Sequence, residues 1–162
     1  MKRRTLPAAY PAETGYSWED GLMKAPGFTL KDIQTGNLVS LDDYRGKNVM
    51  ITFWVSWCPD CQRDLPQKDA FYKTLPAETD LAFITINVTG REASTENALK
   101  MAREQQWTFP ILMDEGTNAY DAYQCTGVPA TFLLNQHHEI EASFDDRADF
   151  MDIIQSLGTL LK

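Results

Sequence analysis

Cysteine, histidine and surplus positive charge are all scarce in this chain, and each scarcity removes a class of function. Three cysteines in 162 residues are too few for a disulfide scaffold, and a chain of this length buries a core without covalent staples. A structural zinc site needs a closed set of thiolate and imidazole ligands. Beyond Cys58 and Cys61 only Cys125, His137 and His138 are left, at spacings that suit no such site. Lys and Arg number 15 against 23 Asp and Glu, a formal net charge of -8, so nucleic acid and anionic membrane surfaces would be repelled. No apolar run is long enough for membrane insertion. Met1-Lys2-Arg3-Arg4 could open an export signal, but Thr5 to Lys24 hold Pro, Glu and Gly where its apolar stretch should be. As written, the chain is expected to be a cytoplasmic monomer; had an export signal or anchor been removed, it would read the same way and work outside the cytoplasm. Internal repeats and long charge runs are also lacking.

Residues 1–24 carry prolines and scattered aromatics without periodicity, and are expected to form an extended or partly disordered leader, with Tyr16 and Trp18 able to dock on the domain that follows. From residue 25 the pattern changes. Phe28 to Leu30 and Leu38 to Leu41 flank Gln34-Thr35-Gly36-Asn37 and predict a hairpin; a tight turn at Asp42 to Gly46 leads into a buried strand over 48–55. Cys61, Leu65, Tyr72 and Leu75 share one face of a helix in which Pro66 should introduce a kink. Leu81 to Val88 predicts a strand, Thr95 to Gln106 a helix, Phe109 to Met113 a strand and Thr117 to Gln124 a short helix. Ala130 to Leu134 and Glu139 to Phe144 read as strands joined by a turn that holds both histidines, and Arg147 to Leu161 as an amphipathic closing helix. Strands alternating with helices and ending in a hairpin predict an α/β domain over 25–162, a mixed central sheet flanked by helices.

Between the strand at 48–55 and the helix after it lies Trp57-Cys58-Pro59-Asp60-Cys61. Two thiols at this spacing can close a small redox-active disulfide, and the first stands where the unpaired N–H groups of a helix start favour thiolate, the species that attacks disulfides. Cys58 is the candidate nucleophile and Cys61 the resolving thiol. Asp60, between them, opposes thiolate formation, and no Lys, Arg or His lies between the cysteines. A modestly stabilised thiolate points to a reductant, with a potential of roughly -250 mV or lower against roughly -120 mV for a strong oxidant.

Ala25-Pro26-Gly27-Phe28-Thr29-Leu30, the Tyr44-Arg45-Gly46-Lys47 step, Phe53 to Cys61 with Pro66, and Gly127-Val128-Pro129-Ala130-Thr131-Phe132 together resemble the thioredoxin-like thiol–disulfide oxidoreductases of the TlpA/ResA type, relatives of the redoxin and AhpC/TSA proteins. That resemblance covers 25–161. It implies a thioredoxin fold with an N-terminal β-hairpin and an inserted strand–helix unit at 81–106, no cofactor beyond the Cys58–Cys61 pair, and as partners disulfide-bearing client proteins and an upstream thiol reductant. It also implies a cis bond before Pro129 that exposes the Val128 backbone beside the sulfurs, where an extended client segment can pair with it. Trp57, Pro59, Asp60 and Val128 would then contact the client. Thioredoxins proper carry a buried acid where this chain has Thr52. The TlpA/ResA type brings a Glu from the inserted unit to the cysteines, and Glu92 is the nearest match, with Glu96 competing. Cys125 replaces the usual apolar residue; it reads as a small buried hydrophobe or, more sharply, a third redox thiol.

Two other functions compete. A peroxiredoxin-like peroxidase wants Thr or Ser three residues before its reactive cysteine, where Val55 stands. A copper-binding module on the same fold would join soft thiolates to His137 or His138.

Overall fold

Seven consecutive buried residues, Asn48–Trp54, form β3, and seven more, Leu81–Asn87, form β4. A strand with no exposed face belongs inside a sheet covered on both sides, and the computed structural model, which describes residues 23–161, puts both there. The hairpin strands β1 (Thr29–Asp32) and β2 (Leu38–Ser40) pair with Leu30 opposite Val39. With β5 (Ile111–Met113), β6 (Ala130–Leu134) and β7 (Ile140–Phe144) they complete a seven-stranded sheet in the order β2-β1-β5-β4-β3-β6-β7. β3, β4 and β5 run parallel, and β1, β6 and β7 pair antiparallel. This is the expected thioredoxin fold with its mixed sheet. The strand–helix unit expected at 81–106 supplies β4 and α2 (Thr95–Gln105).

Alternation along β3 decides what covers each face. Phe53 packs against Tyr120, Tyr123 and Phe132, so one face is closed by aromatic side chains from α3 (Asn118–Ala122), the residue after it, and β6. Trp54 turns the other way and meets Trp107 edge to face at 5.4 Å. Thr52 shares the Trp54 face and lies opposite Thr131 in the register. On this side α1 (Pro59–Thr74) runs over the sheet, tied to α4 (Phe150–Leu160) by a Phe71–Phe150 ring contact. Edge-to-face pairs of this kind contribute about 0.5–1.5 kcal/mol beyond their buried area. Helix α1 continues unbroken through Pro66.

The leader expected at 1–24 lies outside the described residues as far as residue 22, Tyr16 and Trp18 included. Its last two residues already belong to the domain: Lys24 bridges Glu139, and the Ile140 N–H donates to the Met23 carbonyl at 2.8 Å.

Candidate active site

The chain leaves β3 at Trp54 and enters α1 at Pro59, so the residues between are held at the edge of a rigid strand and helix. Cys58 is the N-cap of α1, with extended backbone, and Pro59 takes the first helical position, where its missing N–H costs nothing. The Cys61 N–H points at Cys58 Sγ, 3.2 Å away. On its other side Sγ lies 3.6 Å from the Val128 carbonyl oxygen, to which its thiol donates. The Val128–Pro129 bond is cis. Cys58 is 6% exposed and Cys61 fully buried. Burial pushes the Cys61 thiol well above the ordinary range; hydrogen bonding to Cys58 and the Asp64 carboxylate push the same way.

The loop before Cys58 is clamped. Glu92 accepts from the Ser56 N–H at 2.8 Å, from the Ser56 hydroxyl at 2.6 Å and from the Asn87 amide at 2.7 Å. Trp57, 55% exposed, donates its indole N–H to the Arg91 carbonyl at 2.8 Å. The Arg91 guanidinium lies over the Tyr120 ring and donates to its hydroxyl at 2.7 Å. Glu92 and Arg91 come from the turn at 89–91 and the residue after it, which sits close enough to 115–117 for the Gly90 N–H to reach the Gly116 carbonyl at 2.9 Å. Glu92 rather than Glu96 therefore approaches the site, since Glu96 is exposed in the first turn of α2. The contacts of Glu92 run to the loop. They tie it to Ser56, two residues before Cys58, and to Asn87 on β4.

Beneath Cys61 the sheet offers hydroxyls instead of the buried acid of thioredoxins proper. Thr52 Oγ1 lies 3.3 Å from Thr131 Oγ1, and Lys68 Nζ donates to that same Thr131 oxygen at 2.8 Å. Lys68 is fully buried and forms an ion pair with Asp64, one turn back along α1. Sequence reasoning missed Ser56, Asp64, Asn87, Arg91 and Lys68. For Asp64 and Lys68 a signal existed: they fall three and seven residues after Cys61, on its own helix face.

Asp60 is paired with Arg63 on the first turns of α1, so part of the negative charge set against Cys58 is neutralised. Cys125, partly buried, packs against the core, its N–H bound to the Tyr120 carbonyl, with burial, Asp114 and Asp121 all raising its thiol. His137 and His138 sit in the β6–β7 turn, His138 bound through its ring to the Tyr44 carbonyl at 2.9 Å. The five residues of β6 separate that turn from Pro129, about 16 Å of strand, so neither imidazole meets the thiols as the copper reading required. Among the described residues no cluster of His, Cys, Asp and Glu could hold a metal ion.

Comparison with known proteins agrees with this geometry. Residues 23–143 match the family model described as AhpC/TSA family. The chain belongs to the AhpC/TSA family. Within it, its relatives are thioredoxin-like thiol–disulfide oxidoreductases. Sporulation thiol-disulfide oxidoreductase A of Bacillus subtilis is 32% identical over 114 residues, 70% of this chain and 67% of that protein. The thiol-disulfide oxidoreductase ResA of Geobacillus kaustophilus is 33% identical over 117 residues, 72% of this chain and 64% of the relative. The chain thus spans about two thirds of the length of the curated relatives it matches. The crystal structure of StoA from Bacillus subtilis superposes with a TM-score of 0.71 at 27% identity, covering 82% of this chain and 97% of StoA. This AhpC/TSA member carries the paired cysteines of a thiol–disulfide oxidoreductase, and its Val55 stands where a peroxidase of the wider group needs a hydroxyl.

Proposed function

We propose that the chain reduces disulfide bonds in client proteins by dithiol exchange. The observation that carries this reading is the setting of Cys58 Sγ at the cap of α1, between the Cys61 N–H and the Val128 carbonyl. Negative charge developing on Sγ strengthens the N–H contact and meets the positive end of the helix. Cys58 as thiolate attacks one sulfur of a client disulfide; the S–S bond breaks, the second client sulfur leaves as thiolate, and a mixed disulfide forms. Cys61 then gives its proton to a base and attacks Cys58 Sγ. The first client sulfur leaves in turn, the Cys58–Cys61 disulfide closes, and two electrons have passed to the client. An upstream thiol reductant reopens the pair. Pro129 and Val128 are read as the ledge on which an extended client segment pairs, with Trp57, Pro59 and Asp60 as flanking contacts.

The base for Cys61 in this reading is Asp64. Its side chain is 11% exposed, so it can pass the proton on to water, and it stands one turn along from Cys61 on the same face. Reduction is favoured over oxidation in this reading because a strong oxidant needs a reduced form stabilised as thiolate, and no Lys, Arg or His stands between the cysteines to stabilise one at Cys58. In insulin reduction Cys58→Ser should abolish activity, and Cys61→Ser should accumulate a mixed disulfide. Wild-type activity in Cys58→Ser, or its loss in Cys125→Ser, would sink the assignment. A redox titration should give a potential nearer thioredoxin's than an isomerase's; a value above about -180 mV would reverse the direction.

A further inference from the structure

We propose that Lys68 is the fixed internal counterion of the resolving step, the positive charge that lets one negative charge move between the Cys61 sulfur and the Asp64 carboxylate without leaving the protein's interior uncompensated. The proposal rests on the reading of Cys61 as resolving thiol and Asp64 as its base.

The physical problem is the presence of a lysine with no exposed surface. An ammonium taken out of water needs a counter-charge and hydrogen-bond acceptors, or it gives up its proton. Lys68 has both, the Asp64 carboxylate on its own helix and the Thr131 hydroxyl from β6 at 2.8 Å. Thr131, two residues beyond the cis Pro129 and backed by Thr52 from β3, pins the ammonium from the sheet side so that it cannot swing out to solvent. An ordinary helix-surface Asp–Lys pair would leave the lysine free to do so. The helix spacing of Cys61, Asp64 and Lys68 stacks thiol, carboxylate and ammonium along the face of α1 turned to Thr52 and Thr131.

The charges that bear on Lys68 are those of Asp64 and Cys61; Cys61 in turn is coupled to Cys58. From β6 and β3 come only the hydroxyls of Thr131 and Thr52. Burial holds the Lys68 ammonium below the ordinary lysine range, and Asp64 and Cys61 offset part of that fall. Before resolution the negative charge is on Asp64 and Cys61 is a thiol. As the S–H bond breaks, the proton passes to the Asp64 oxygen and the charge to sulfur; as Cys61 attacks Cys58, the charge leaves on the client thiolate, and Asp64 releases its proton to water. Lys68 keeps its proton throughout. It is a positioning residue, acting through Asp64 and Cys61.

The test uses the mixed disulfide of Cys58 with thionitrobenzoate, whose release reports attack by Cys61 across a pH series. Lys68→Gln keeps a donor and drops the charge; its release midpoint should move up by at least about one pH unit, the scale on which a nearby opposite charge acts, with release near neutral pH slowed about tenfold. A midpoint that Lys68→Gln leaves in place, in a folded protein that merely melts earlier, overturns the proposal alone. If wild-type release is no faster than in Cys61→Ser, the reading of Cys61 falls and this proposal with it. Should Lys68→Gln fail to fold, the nitrogen NMR signal of Lys68 in the reduced wild-type protein decides: an ammonium near neutral pH is expected, and a neutral amine would overturn it.

Discussion

Glu92 is where the clamp on the catalytic loop can be measured most directly. Three donors converge on its carboxylate, two from Ser56 and one from Asn87, and the Asn87 side chain is fully buried. Glu92→Ala removes both acceptor oxygens and with them all three bonds. Hydrogen bonds to a charged group are worth about 1.5–3 kcal/mol each before water re-enters, and water can reach Ser56 more readily than Asn87. We expect a loss of about 3 kcal/mol, a fall in melting temperature of roughly 6–12 °C for a domain of this size. Insulin reduction should drop at least about tenfold, because Ser56 and Trp57 no longer set the position of Cys58. Glu92→Gln is the instructive contrast. Its amide oxygen can still accept from the Ser56 and Asn87 N–H groups, and its NH2 can donate to the Ser56 hydroxyl, so only the charge assistance goes, about 1 kcal/mol. Urea unfolding and thionitrobenzoate release measure both quantities. An Ala variant within about 0.5 kcal/mol of wild type, with full activity, would refute the clamp. A Gln variant that keeps its stability but shifts the pH midpoint of release would refute it differently, by showing that Glu92 handles a proton.

Gly90→Ala should destabilise by about 1–3 kcal/mol and lower activity with it. Its Cβ would lie 2.7 Å from the Gly116 carbonyl carbon and 2.9 Å from Thr117 Cγ2, forcing apart the turn that carries Arg91 and Glu92; a variant as stable as wild type in urea would contradict that close approach. Alkylation of the reduced protein should discriminate among its thiols. Burial raises Cys61 and Cys125, so at any given pH both hold less thiolate than an ordinary cysteine and should react more than about tenfold slower with iodoacetamide at mildly alkaline pH; peptide mapping that finds Cys125 labelled as fast as a free cysteine would be the contrary result. Thr131→Val should cost about 1–3 kcal/mol, since it leaves a buried ammonium short of one acceptor, and a neutral effect in thermal melting would argue against that contact.

Most of the backbone plan was legible in the linear chain because its signals are short-range. The mostly apolar run of β3, the alternation around Gln34 to Asn37, and the apolar spacing of α2 and α4 each report a local period or turn, and each element formed where it was read, to within a few residues at its ends. The cysteine pair was equally local, since a thiol at a helix cap is recognised by what precedes and follows it. The position of Pro129 beside the sulfurs was legible only through the family pattern around it, as nothing near Cys58 in sequence refers to it.

The polar half of the site was decided in three dimensions. Lys and Asp are rarely buried, so nothing local marks Lys68 and Asp64; Lys68 is buried and Asp64 partly so because α1 docks with that face on Thr52 and Thr131, and the partner of a helix face is chosen by packing across the sheet. Along the chain Glu92 was the nearest match with Glu96 competing, and the contact between Gly90 and Gly116 delivers Glu92 to Ser56. The histidines could be placed in a turn from sequence, but their distance from the thiols follows from the direction in which β6 runs. Residue type and local period determined that this chain has a strand, a reactive thiol and a helix in that order. Which charges answer that thiol depended on contacts between residues far apart in sequence, whose energies exist only once the sheet and its covering helix have met.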